Sequence, residues 1–172
     1  MIKYSLKVVI KMSELLAPAG NYEAFIAAIN AGANAVYIGL NSFSARAYAN
    51  NFTIDEIKNL VEYAHLRNVK VFVTMNTIIF QDELPQAYST IDELAKANID
   101  AIIIQDLALL DYVAKCYPSI EAHASTQMGI DDLDYFFSQS SVRIPWVDFG
   151  WRNAMVISSA PLRGVLSIRR IP

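Results

Sequence analysis

One cysteine, two histidines and six glycines are the whole supply, across 172 residues, of three residue types that often mark chemistry or sharp turns. The lone Cys116 cannot form an internal disulfide or a multi-cysteine metal site, which points to a reducing, cytoplasmic setting. Between Lys115 and Tyr117, at a predicted helix end, it suits a half-buried packing role as a small hydrophobe. No uninterrupted apolar run reaches the roughly 18 residues of a membrane span, so no membrane partner is expected. Lys7 and Lys11 break MIKYSLKVVIKM, making it a poor signal-peptide core. Missing too are a P-loop, a G-x-S-x-G elbow, an H-E-x-x-H pair and any Cys/His cluster with metal spacing. A phosphate cradle, an esterase-type nucleophile and a zinc centre are thereby left without their usual sequence support, and no metal site is predicted.

Basic residues are scarce where acids abound. Residues 1–137 hold nine Lys+Arg and 16 Asp+Glu, a net of 9 − 16 = −7. Residues 138–172 hold five Arg, no Lys and only Asp148, a net of +4. The larger part is therefore a poor stand-alone binder of a phosphate backbone, which needs clustered cations.

What the chain has is apolar residue: 54%, with a mean hydropathy of +0.28, against a usual 45–50% or about that. From residue 14 this material alternates between two periods. ELLAPA, AVYIGL, VKVFVTM, AIII and IEAHA read as strands near 15–18, 35–38, 70–75, 101–104 and 120–123. Between them run helical patterns. One closes at Gly32, and one opens with the capping-box pair Thr53 and Glu56 and ends at Asn68. A third ends at Asn98, and a fourth is closed by Pro118. Strand and helix alternating at this pace means parallel βαβ units, and strands apolar on both faces fit a parallel sheet covered by helices.

The first strand–helix turn, APAGNYEA, lacks the G-x-G-x-x-G spacing of a dinucleotide fold, so an α/β barrel is the better reading than a doubly wound sheet. A complete barrel takes about 250 residues. Four βα units and a fifth strand make an incomplete, TIM-like barrel. The predicted organisation is an N-terminal extension over 1–13, the first half of a barrel over 14–137, and an atypical tail over 138–172.

Parallel α/β folds carry function at the carboxyl ends of their strands, where the βα loops gather. Those ends supply Asn21, Asn41, Arg46, Asn76, Gln105, Asp106 and the run His123 to Gln127. Several have a plainer role as well. Asp106 sits where a helix N-cap belongs, as do Ser125 and Thr126, and Asn21 and Asn76 suit turns. Arg46, in the long loop FSARAYANNF, is placed to grip a carboxylate or phosphate oxygen. Glu121 and His123 share a strand face. A catalytic His123 would point to the common concave face, and His123→Ala would then cost activity with little change in melting temperature.

Six blocks in order, ELLAPAGN (14–21), GANAVYIG (32–39), FSARAYANNF (43–52), VKVFVTMNT (69–77), DAIIIQDLALL (100–110) and HASTQM (123–128), resemble the collagenase-like peptidases, family thirty-two of the peptidases of unassigned mechanism. The resemblance implies a barrel-like N-terminal domain with these loops on its active face. It also implies one of two activities for a full-length parent: hydrolysis of peptides, or support of RNA-base or ubiquinone-ring hydroxylation. In the hydroxylation reading Arg46 holds an anionic donor such as prephenate, His123 moves protons, and Asn21, Asn76 and Gln127 contact an RNA substrate. In the peptidase reading His123 is general base with Asp106 as its orienter. The hydroxylating members hold an iron–sulfur cluster through four cysteines beyond the matched region, and nothing after Cys116 is a cysteine here. A third reading is therefore a fragment without activity of its own, with no cofactor in this chain. The resemblance stops near YFFSQ, where composition shifts as well. Residues 138–172 are accordingly expected to be a non-native, frame-shifted tail that packs poorly.

Overall fold

The computed structural model describes residues 14–45, 51–128, 146–150 and 154–158, the last two spans by backbone alone. Five strands, β1 (Glu14–Ala19), β2 (Ala35–Gly39), β3 (Lys70–Met75), β4 (Ala101–Ile104) and β5 (Glu121–Ala124), alternate with four helices. The helices are α1 (Tyr22–Asn30), α2 (Ile54–His65), α3 (Leu84–Lys96) and α4 (Leu107–Cys116). Neighbouring strands of this set all pair in parallel, in the unbroken order β1-β2-β3-β4-β5. A doubly wound sheet reverses its strand order at a switch point. No reversal occurs among these five strands, and the sheet they form is open rather than closed into a barrel.

Residues 146–150 and 154–158 contribute two strands that the alternating pattern did not announce. β6 (Trp146–Gly150) and β7 (Ala154–Ser158) pair antiparallel, and β7 lies antiparallel on the outer edge of β1, with Leu16 opposite Met155. The boundary between 1–13 and the body, and most of 129–172, fall outside the described residues.

Helix ends follow the side chains at hand. Asn21 Oδ1 accepts the Ala24 N–H at 2.8 Å to start α1. The Thr53–Glu56 capping box closes in both directions at α2, and Asp106 accepts the N–H groups of Ala108 and Leu109 at α4. Gly32, Asn68 and Asn98 hold φ of 87°, 56° and 60°, the left-handed geometry that ends a helix.

Period-two alternation splits the strands between two layers. Val36, Ile38, Val71, Val73, Ile102 and Ile104 face the helices, meeting Phe25, Ile57, Val61, Ile91, Leu94 and Leu109. Leu16, Ala35, Phe72, Ala101 and Ile103 form a second buried layer on the other, inner face, with Tyr37 packed against it. Cys116 departs from expectation. It is exposed, because it is the last residue of α4 and the buried side of that helix ends at Val113.

Two clamps secure the periphery. At the amino ends of the strands, Asp100 Oδ2 accepts the Val71 N–H at 2.7 Å and pairs with His65 Nε2 at 2.9 Å. On the flank, Asp92 Oδ1 accepts the hydroxyls of Tyr117 at 2.7 Å and Tyr112 at 2.8 Å, and Tyr88 stacks on Tyr112. Those two hydroxyls hold the Asp92 carboxyl below its ordinary range. The Asp92 bond in turn pushes Tyr112 up to about 12. A lowered acid contributes stability above its unfolded pKa and loses it as pH falls through the folded value. A raised phenol contributes stability below its unfolded pKa, which is lost as pH rises through about 12. Tyrosinate absorbance should therefore show Tyr112 ionising near 12, and Asp92→Asn should bring it back towards the ordinary phenol value of 10.0. A variant that titrates like the parent would remove the Asp92 bond from the account.

Candidate functional site

At the carboxyl end of the sheet, polar contacts tie the β2–α2 loop to β3. Thr74 Oγ1 donates to the Ile38 carbonyl at 3.2 Å, so the buried Ser44 hydroxyl is the donor in its 3.0 Å bond with Thr74. Asn76 Oδ1 accepts the Ala45 N–H at 3.1 Å. The far end of the loop returns to β2, where Phe52 N–H donates to the Gly39 carbonyl and Asn41 N–H to the Phe52 carbonyl. Phe43 is held in this loop at φ 62°, an uncommon conformation for a bulky side chain and a mark of backbone strain.

Gly39 is what lets the loop sit so close. A Cβ there would lie 2.6 Å from Asn51 Oδ1 and 2.8 Å from Ser44 Oγ. Ser44 is buried and committed to Thr74, so it has little room to yield. Gly39→Ala should thus cost about 1–3 kcal/mol, as overpacking does. A denaturant melt superimposing on the parent's would show that Asn51 and Ser44 swing aside freely.

The predicted site residues divide. Asn76 is half-buried at the mouth, binding the backbone immediately before Arg46; Arg46 itself lies outside the described residues. Asn21 and Asp106 are at the same end, each with an oxygen given to a helix N-terminus. Gln127 is exposed in a single 3-10 turn, Thr126–Met128, and its N–H donates to Ser125 Oγ at 3.3 Å. Tyr22, Ile78, Phe80 and Leu107, four exposed large apolar side chains, lie in the βα loops or first helical turns of this same end.

His123 lies on the inner face of β5, beside Ile103 of β4, and is only 4% exposed. Its Nε2 meets Glu121 Oε2 at 3.1 Å, and its ring stands edge-on to Phe72 with centroids 4.9 Å apart. Glu121 opens β5 and Phe72 is the third residue of β3, so both contacts draw the imidazole back from the mouth. Asp106 is not its partner. Residues two apart on a strand share a face, which puts Glu121 within reach of His123, whereas the Asp106 carboxylate is turned into its own helix. The shared face was legible in the sequence. The Ser44–Thr74 pair was not, since two separated hydroxyls carry no pattern.

A second opening, of about 520 Å³, lies at the amino end among Lys70, Asp92, Lys96, Asp100 and Glu121. Its carboxylates are taken by Tyr112 and Tyr117, by His65 and Val71, and by His123. That end is a structural seam, and the carboxyl end remains the candidate site.

Residues 20–141 match the model of Peptidase family U32. The chain belongs to that family. A collagenase from Porphyromonas gingivalis is 38% identical over 122 residues, covering 70% of this chain and 29% of the relative. A 23S rRNA 5-hydroxycytidine synthase from Escherichia coli is 44% identical over 121 residues, 70% of this chain and 18% of that protein. The tRNA hydroxylation protein P of Helicobacter pylori is 39% identical over 121 residues, 70% of this chain and 29% of the relative. The chain thus spans less than a third of the length of each of these relatives. The solved structure of the U32 peptidase Mk0906 superposes with a TM-score of 0.61 at 14% identity, over 83% of this chain and 62% of that one, which supports the shared fold.

U32 membership raises the question of an iron–sulfur cluster. A cluster held by four cysteines needs four thiolates, and this chain has one, exposed Cys116. Among the described residues no three His, Cys, Asp or Glu side chains gather where a metal could be held. The residues present do not fit the cluster, and no step of chemistry is derived through it.

Proposed function

We propose that this U32 chain is the barrel-forming N-terminal part of a protein that supports hydroxylation of an RNA base, with the carboxyl-end mouth as the substrate side. The observation that carries this reading is how the hydroxyls and the imidazole are used. Ser44 is the donor to Thr74, Ser125 Oγ accepts an N–H, and His123 pairs with Glu121. None of these is a serine–histidine dyad of the kind a hydrolase activates. A mouth of amides and hydroxyls suits recognition of a base edge, Asn76 holds the backbone at Ala45, and Arg46 is the residue we assign to an anionic donor of the prephenate type. His123, with Glu121 on its Nε2, holds or passes a proton from within. Several relatives are named for tRNA or rRNA hydroxylation, which favours RNA as the substrate class and the cytoplasm as its compartment. Among the described residues no helix is long and apolar enough to cross a membrane.

A peptidase reading draws support from the collagenase relative. In that reading the His123–Glu121 pair activates a water directly, and Glu121 takes the orienting part first assigned to Asp106. The two readings separate in one comparison. RNA from a strain lacking the gene should lose a hydroxylated nucleoside that the parent strain contains. An unchanged nucleoside profile, together with loss of gelatin or collagen-peptide cleavage, would replace hydroxylation with hydrolysis.

A further inference from the structure

A smaller slot, of about 230 Å³, opens on the outside of the fold between α1 and α2. It is lined by Tyr22, Phe52, Glu56, Asn59, Leu60 and Tyr63. Of these side chains only the exposed Tyr22 was noted at the carboxyl end, and the reading of the mouth gives none of them a role. Three aromatic residues and one carboxylate around a space below the roughly 300 Å³ of a drug-sized pocket suit one small charged group. Glu56 is well prepared to be that carboxylate. Its Oε2 accepts both the Thr53 N–H at 2.7 Å and the Thr53 hydroxyl at 2.8 Å, which favours the ionised form. Tyr63 already takes a guanidinium, with Arg67 Cζ 3.6 Å from its ring centroid. The surrounding field has the same preference: residues 14–128 carry six Lys+Arg against 13 Asp+Glu, a net of 6 − 13 = −7.

We propose that this slot binds the guanidinium or ammonium end of a basic side chain presented by a partner polypeptide. Ring faces attract such cations through their quadrupole, and the fixed carboxylate adds direct charge complementarity. A nucleobase would also find rings here, but its phosphates would meet a net negative surface without clustered cations. The inference is independent of the hydroxylation reading and survives its failure.

The test is a titration of the full chain, followed by NMR of the Tyr22 and Tyr63 rings, with the peptide Gly-Arg-Gly and its neutral citrulline counterpart. The arginine peptide should perturb both rings and bind about tenfold more tightly than the citrulline peptide. Glu56→Gln should weaken binding to the citrulline level while leaving the melt unchanged, because Gln also closes a capping box. Tyr22→Ala, at a 58% exposed position, should weaken binding without unfolding the chain. Equal binding of the two peptides, or rings undisturbed by either, would overturn the proposal. So would a short oligouridylate that shifts the same rings at lower concentration than the arginine peptide, which would make the slot a base-stacking site.

Discussion

Phe72→Ala is expected to lower the stability of the chain by about 3–5 kcal/mol, the largest loss predicted here for a single side chain. Phe72 is 2% exposed on the central strand β3, with Tyr37 of β2 and Ala101 of β4 as its register partners. It is the largest fully buried side chain of the inner layer, where Ala35 and Ala101 have no length with which to fill a cavity. Such a site collapses poorly, and the cost of a large-to-small change grows with the cavity that remains. The same substitution removes the ring against which His123 stands. A urea melt should therefore shift strongly, and the His123 imidazole resonances should move with it. A loss under about 1 kcal/mol would mean that the inner face is not packed as described, since a well-packed core does not forgive such a deletion.

The second large effect concerns the same contact from the other side. His123→Ala should depress activity of the whole protein about 10²–10⁴-fold, the usual worth of a positioned acid–base group. It should also destabilise the fold by about 1–3 kcal/mol, because a buried side chain and its hydrogen bond to Glu121 are removed. The sequence alone suggested that the melt would hardly change. Burial at 4% exposure and the Phe72 contact are the reasons for revising that. His123→Gln separates the roles, since an amide can still reach Glu121 but cannot carry a proton at neutral pH. Stability regained with activity still lost marks proton transfer. Recovery of both would make His123 a positioning residue.

Much of the fold was legible because its signals are local. Thr53 and Glu56 announced α2 three residues apart, and Asn68 and Asn98 announced helix ends that only a left-handed residue could make. All five predicted parallel strands fall within a residue or two of β1–β5, because β-branched runs buried on both faces have few alternatives. The unbroken parallel order shows no switch-point reversal of a doubly wound sheet, in keeping with the missing glycine fingerprint. The β6–β7 hairpin was not legible, since its place on β1 depends on an edge that only the assembled sheet creates. At the site, the carboxyl-end rule located Asn21, Asn76, Asp106 and Gln127, but which atoms they bind was decided by tertiary geometry. Asp106 turned into α4, Asn76 reached across to Ala45, and Glu121 took His123. The weight of Gly39 was hidden as well, because a glycine at a strand end reads as a turn until its neighbours are seen.

Strands β1–β5 form one parallel set whose central members bind the loops of the mouth into place. Hydrogen–deuterium exchange on the full chain, resolved to short peptides, tests this most directly. The amides of β2, β3 and β4 should exchange slowest and as one cooperative unit, with the Ser44–Ala45 segment protected alongside them because Thr74 and Asn76 hold it. Exchange of β3 and β4 at the rate of an unstructured peptide, or protection of β3 without the 44–45 segment, would contradict it.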